Sequence, residues 1–232
     1  MKKKLFVFCM VSLLITGVSK AQDDLNPNHL PMELTTFETI SLQQPDLNSG
    51  DALMTAMSKR KSDRDFQTGN LSLKHLSEIL WAAYGSNRED GKKTAPSALA
   101  LYPLNVYAIL ENGIYLYDAG NHVLIPVIEG DHRELAGGFP AAKTAPLHLV
   151  FMADYSNYQN TGNDMIDGFL KVPQTRVRFA SLDAGHCTQN VYLYCATEGI
   201  KTVVRGSVEA GFMELLGLGE NHEFIVAQTI GY

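Results

Sequence analysis

The stretch "LNVYAILENGIYLYDAGNHVLIPVI", residues 104–128, decides the fold. It holds three runs rich in Val, Ile, Leu and Tyr: "LNVYAIL", "IYLYDA" and "HVLIPVI". Short breaks, "ENG" and "GN", separate them. Asn112-Gly113 between two such runs is a hairpin signal. Strands joined by tight hairpins pair antiparallel, because a parallel pair needs a long crossover. Downstream, "APLHLVFMADY" (145–155) reads as a buried strand, "IKTVVRG" (200–206) as a short one and "EFIVAQTIGY" (223–232) as the last.

Helical patterns flank these strands. Ser49 or Asp51 is positioned to cap a helix running to about Ser58, with Leu53, Met54 and Met57 on its apolar face. Ser72 caps "LKHLSEILWAAYG", in which Leu73, Leu76, Leu80 and Ala83 share a face and Gly85 ends the helix. "SLDAGHCTQNVYLYCATEG" (181–199) reads as a long buried helix that stops at Gly199. "SVEAGFMELLGLG" reads as a helix capped by Ser207, and "RELAGG" as the start of a short one. Residues 156–165 read as a polar loop. Helices first, then neighbouring strands, then helix, strand, helix, strand: this order predicts an α+β fold with a mostly antiparallel sheet.

The chain has 232 residues, which suits one globular domain. Lys2, Lys3 and Lys4 precede an apolar run, Leu5 to Val18, and Ser19 and Ala21 are small residues placed for cleavage before Gln22. This pattern predicts a secretory signal peptide over 1–21, too short for a stable membrane anchor; an uncleaved N-terminal anchor is the competing reading. Residues 22–48, with Pro27, Pro31 and Pro45, read as an extended arm, and 49–232 as the folded domain. Loss of the leader removes four lysines (2, 3, 4 and 20) and no acid, so the net charge moves from −6 to −10. An acidic protein is a poor nucleic-acid binder. Export places it outside the cytoplasm, in a periplasm-like compartment. Cys187 and Cys195, if on one helix, stand about 12 Å apart at the α-helical rise, beyond disulfide reach.

Several chemistries have no motif here. There is no phosphate-binding G-x-x-x-x-G-K-[ST], no G-x-G-x-x-G after a strand, no G-x-S-x-G and no C-x-x-C. The seven histidines never pair at i, i+4, so no zinc site is encoded locally and no metal is expected. His186-Cys187 invites a thiol nucleophile, but adjacent helix residues point about 100° apart. "KRKSDRDF", residues 59–66, stands out instead. If it is extended, Arg60, Ser62 and Arg64 share one face and Lys61, Asp63 and Asp65 the other. Two guanidinium forks with a hydroxyl between them suit a phosphate monoester. The competing reading is a solvated charge run.

In order and spacing, "KRKSDRDF", "LSLKHLSEILWAAYGSNR", "TAPSALALYPLNVY", "GIYLYD", "SLDAGHCTQNVYLYCATEG" and "FMELLGL" resemble the FMN-dependent nitroreductase superfamily. The chain looks closest to the branch around the SagB-type thiazole/oxazole-forming dehydrogenases. The resemblance runs from about residue 50 to the end. It implies a nitroreductase-like α+β fold and an intertwined homodimer with two FMN sites, each built from both chains. It implies that Arg60, Ser62 and Arg64 contact the FMN phosphate, ribityl chain and pyrimidine edge. It implies that Pro96, Ser97 and Ala98 lie along the flavin ring of the partner chain. Arg205 and Gly206 match the segment whose backbone passes near flavin N5. Many relatives have an acid or a small residue where Arg205 stands, so the family's role for that side chain does not carry over, and the phosphate or the substrate is the alternative partner for Arg205. Many also add a basic tail beyond the position of Tyr232, which leaves more of the phosphate charge to Arg60 and Arg64.

The function implied is hydride or electron transfer through flavin N5, in a ping-pong cycle, to a small-molecule acceptor such as a nitroaromatic or quinone. No catalytic side chain is required, because the cofactor carries the chemistry. NAD(P)H is the donor the family suggests. Export argues against it and favours a redox partner protein, a quinol or a small reductant. The alternatives are a SagB-type dehydrogenase or oxidase acting on peptide-derived heterocycles, which export disfavours, and a non-enzymatic flavin-binding protein.

Overall fold

The computed structural model describes residues 30–136, 139–156, 158 and 161–232. The predicted leader and residues 22–29 of the arm lie outside the described residues. Seven strands form one sheet: β1 (Ile40–Ser41), β2 (Leu104–Leu110), β3 (Gly113–Asp118), β4 (Val123–Glu129), β5 (Leu147–Asp154), β6 (Lys201–Arg205) and β7 (His222–Gly231). Their order across the sheet is β1-β4-β3-β2-β5-β7-β6, and every neighbouring pair is antiparallel.

The stretch 104–128 supplies the meander β2–β3–β4. Leu110 pairs with Gly113, so the reversal falls at Glu111-Asn112. Gly113 is needed here for space, since a Cβ on it would come within 2.3 Å of the Phe37 ring and 2.7 Å of the Ile128 carbonyl oxygen. The arm is docked through main-chain bonds: Met32 N–H donates to Leu71 O and Leu42 N–H to His122 O.

Among the described residues, five α-helices accompany the sheet: α1 (Leu53–Lys59), α2 (Leu73–Tyr84), α3 (Asp164–Leu170), α4 (Pro173–Glu198) and α5 (Phe212–Leu215). Ser72 caps α2 as its sequence predicts, accepting from the His75 amide. Gly85 closes that helix in an extended conformation rather than the left-handed one usual for a terminal glycine. The Trp81 ring packs against it, and a Cβ would lie 2.4 Å from Trp81 Cδ1. Helix α4 ends at Gly199 with φ 69°. It starts earlier than the periodicity of its buried half suggests, with Pro173 in its first turn. Helix α3 is not among the predicted helices and takes the last two residues of the expected loop, Asp164 and Met165, into its first turn, because the Asn163 side chain caps it.

Two predicted caps are not made. The N-cap of α1 is Ala52, because Ser49 Oγ donates to Asp46 O and the Asp51 carboxylate takes the Lys59 ammonium at 2.6 Å. Helix α5 is one turn long with Gly211 as N-cap, so Ser207 lies outside it.

Two cores sandwich the sheet. Along β5, Leu149, Phe151 and Ala153 belong to the first core and Val150 and Met152 to the second, the period of two that a strand imposes. The first core packs against α2 and α4 through Leu76, Leu80, Cys187 and Val191. The second is covered by Ala136, in a 3₁₀ turn at Arg133–Ala136, and by Phe212 of α5. Strand β6 is left at the sheet edge.

Candidate functional site

The segment after α1 runs along the open side of β6. The Asp63 amide donates to Thr202 O at 3.0 Å, and the Gln67 amide to Tyr232 O at 2.6 Å. Lys201 Nζ donates to Asp65 O, and Phe66 is buried against Val203 and Ala145. The segment therefore covers a strand edge that would otherwise present free N–H and C=O groups.

Its side chains alternate as an extended chain requires. Arg60 and Ser62 both turn to Tyr192 of α4. The guanidinium carbon of Arg60 lies 5.3 Å from the centre of the Tyr192 ring, and Ser62 Oγ shares a 2.8 Å hydrogen bond with the Tyr192 hydroxyl. That hydroxyl also accepts from the Val204 amide at 2.9 Å, which fixes the ring against β6. On the other face, Lys61 pairs with Asp63 at 3.0 Å. A cavity of about 300 Å³ between the segment and α4 is lined in part by Lys59, Lys61, Asp63, Tyr192 and Lys201.

Charge pairing divides the segment. Lys59 is bound to Asp51, Lys61 to Asp63, and Lys201 lies 3.9 Å from Asp65. Neither Arg60 nor Arg64 forms an ion pair among the described residues, and Arg64 is exposed. The lysines have acid partners, whereas Arg60 packs on the Tyr192 ring and Arg64 is exposed. This donor set fits the phosphate of FMN: two unpaired guanidinium groups beside a hydroxyl.

Arg205 does not join them. It pairs in register with Ala227, a residue of the second core, so its side chain lies on the sheet face away from α4. Its Nε donates to Thr229 Oγ1 at 2.7 Å, and its Nη1 reaches Ser207 O. Burial pulls its pKa down to about 10, which leaves it charged at neutral pH. Gly206 is exposed directly after β6, so the main chain there is open to a ligand while the Arg205 side chain is engaged elsewhere.

The "PSA" loop forms a second constellation. Pro96 is exposed, and Ser97 and Ala98 are half-buried. Ser97 Oγ donates to Asp183 Oδ2 at 2.6 Å, the Ala98 amide donates to Asp183 Oδ1 at 3.0 Å, and the Tyr102 amide donates to Ser97 Oγ at 2.8 Å. Asp183 projects from α4 and is only 2% exposed. Leu99, Ala100 and Tyr102 all have positive φ, at 56°, 55° and 47°. Lys93 leads into this loop with its ammonium 4.6 Å from the Tyr84 ring centre and 5.8 Å from that of Tyr102. The thiol reading finds no support in the geometry: Cys187 and Cys195 are free and buried, and burial pushes both thiols up, away from the thiolate.

Tyr192 and Asp183 are the site residues that sequence reasoning missed. Asp183 carried a readable signal, because it falls on the buried stripe Ala180, Ala184, Cys187, Val191, and an acid there needs partners. Tyr192 carried none, since nothing local shows that it meets Ser62, 130 positions away.

An antiparallel seven-stranded sheet, a long helix across one face and a basic-serine-basic segment on its edge together define an α+β protein with a candidate anion site at the sheet edge. The model of the nitroreductase family matches residues 57–232, and the chain belongs to that family of oxidoreductases. It is 34% identical over 182 residues to the protein named "Putative nitroreductase MJ1384" of Methanocaldococcus jannaschii, covering 73% of this chain and 85% of that one. A crystal structure from Ralstonia eutropha JMP134 with the same designation shares 38% identity at TM-score 0.76, over 88% of this chain and 93% of its own. The fold is also that of the NADPH:FMN oxidoreductase from Vibrio harveyi, solved with NAD+, at 19% identity and TM-score 0.54 over 78% and 68% of the two chains.

Proposed function

We propose that the chain is an exported FMN-dependent oxidoreductase of nitroreductase type that works as a homodimer and reduces a small conjugated acceptor such as a nitroaromatic or a quinone. The observation that carries this reading is the unpaired charge of Arg60 and Arg64 in a segment whose lysines are all matched to acids. Family membership supports the same reading, and the Vibrio harveyi neighbour is by name an FMN enzyme.

In this reading Arg60 and Arg64 hold the phosphate, and Ser62, oriented by Tyr192, meets the polar chain next to it. The main chain at Gly206 approaches the ring closely, because no side chain stands in the way. Pro96, Ser97 and Ala98 of one subunit line the site of the other. FMN, when bound, supplies hydride acceptance at N5 and onward electron transfer, so the protein binds, orients and shields without a nucleophile. Export leaves a partner protein, a quinol or a small reductant as donor in place of soluble NAD(P)H.

Titration of the purified protein with FMN, followed by flavin fluorescence, tests the site. Arg60→Ala and Arg64→Ala are each expected to weaken binding about tenfold, the worth of one charge-assisted contact, and the double variant more. Unchanged affinity in the double variant would remove the phosphate assignment. Anaerobic reduction of the bound flavin by a panel of donors, then reoxidation by a panel of acceptors, tests the activity. No turnover with any pair would leave a flavin-binding protein rather than an enzyme.

A further inference from the structure

We infer that Asp183 is a positioning residue of the flavin site, acting through the hydroxyl of Ser97. The inference rests on the flavin reading above. Asp183 is an acid on the apolar face of a long helix, and among the described residues no Lys, Arg or His pairs with it. Both its oxygens instead face the "PSA" loop, one taking the Ser97 hydroxyl and the other the Ala98 amide. A buried carboxyl is costly unless its acceptor sites are filled, so the loop and the acid hold each other.

The arrangement has a chemical consequence. A serine hydroxyl has one proton and two lone pairs. In Ser97 the proton is committed to Asp183 and one lone pair to the Tyr102 amide. Ser97 can then offer a ligand only one acceptor site and no donor. Asp183 thereby selects for a ligand N–H or O–H at this position and against a ligand carbonyl. The same bonds bracket Leu99, Ala100 and Tyr102, whose left-handed backbones are unfavourable for side-chain-bearing residues. Fixing Ser97 to Asp183 at one end and to Tyr102 at the other keeps the loop in that shape.

Asp183→Asn is the informative change, being nearly equal in size. A carboxamide cannot accept both bonds, so either the Ala98 amide loses its partner or the Ser97 hydroxyl reverses and its proton becomes free. The experiment combines Asp183→Asn, Ser97→Ala and the double variant. Two readouts are used: FMN affinity by fluorescence titration, and hydrogen exchange of the Ala98 and Tyr102 amides without flavin. Asp183→Asn is expected to speed exchange at those two amides while amides of β5 keep their protection. FMN binding is expected to weaken about tenfold in each single variant, and no further in the double, because the two residues act as one unit. Additive losses, or unchanged binding in Asp183→Asn, would overturn the assignment, as would unchanged exchange. A parent protein that binds no FMN would overturn the flavin reading and this inference with it. Faster loop exchange in Asp183→Asn would then still separate that failure from an error about the bonds.

Discussion

Ala100 stands at φ 55° between two other residues with positive φ, and none of the three is a glycine. Left-handed backbone costs a residue with a Cβ about 1 kcal/mol or more. Ala100→Gly is expected to stabilise the protein by about 1 kcal/mol, raising Tm by about 2–4 °C in a thermal melt. A lower Tm would mean that the turn is not strained at Ala100. The cost is borne next to Ser97 and Ala98, where strain accompanies a fixed ligand-facing shape. At this scale the sequence was partly legible. The alternation of Arg60, Ser62 and Arg64 could be read, because strand geometry has a period of two and leaves its mark on neighbouring residues. Neither the link from Asp183 to the "PSA" loop nor the bond from Arg205 to Thr229, where a phosphate or substrate contact is expected, was legible. Those contacts span 86 and 24 positions and depend on how elements pack.

Helix α4 presents Asp183 to one loop, Tyr192 to the covering segment and Glu198 to His75 of α2. The imidazole of His75, 3.7 Å away, is the main reason that the Glu198 carboxyl sits below its ordinary value of 4.5, with help from Lys74. His75 in turn bonds the hydroxyl of Tyr232 at 2.9 Å, so α2, α4 and the end of β7 meet there. A carboxyl with a depressed folded pKa adds stability above its unfolded value and loses it as pH falls through the folded one. Thermal melts of the parent between about pH 5 and about pH 3 are expected to fall more steeply than those of Glu198→Gln. Parallel curves would show that Glu198 contributes nothing to acid sensitivity. At the element scale strands β2 to β7 and the two long helices were legible from their long apolar patterns, while the two-residue β1 lay within what reads as an extended arm. Helices α1 and α5 were legible as helices but not in where they start, because the predicted serine or aspartate caps had other partners or lay outside the turn. Helix α3 and the start of α4 were not, since they carry little apolar periodicity.

The whole molecule leaves a surface unfinished. On α1 only Ala56 is buried, while Leu53, Met54 and Met57 are 60%, 75% and 49% exposed. Beside them a groove of about 400 Å³ is lined by Leu47, Leu53, Trp81 and Leu193, among others. Contiguous exposed apolar surface of this kind marks an association face, and the homodimer implied by the family resemblance would cover it. Met54→Glu is therefore expected to lower the mass measured by light scattering from that of a dimer toward that of a monomer, and to weaken FMN binding in parallel. A dimer that persists would exclude α1 from the interface. The antiparallel order was legible from one stretch of hairpins, but this face was not, since an apolar helix stripe reads the same whether it meets its own core or another chain. The covering segment along β6 carries a different implication. It closes the sheet with main-chain atoms, the amides of Asp63 and Gln67, and leaves the proposed phosphate contacts to side chains, Arg60 and Ser62 beside Tyr192 and Arg64 exposed. The two duties fall on separate atoms. Side chains at 60, 62 and 64 can thus be rewritten, by drift or by design, to suit another ligand while the sheet stays sealed. Ligand preference and resistance to aggregation are independently evolvable in this part of the chain.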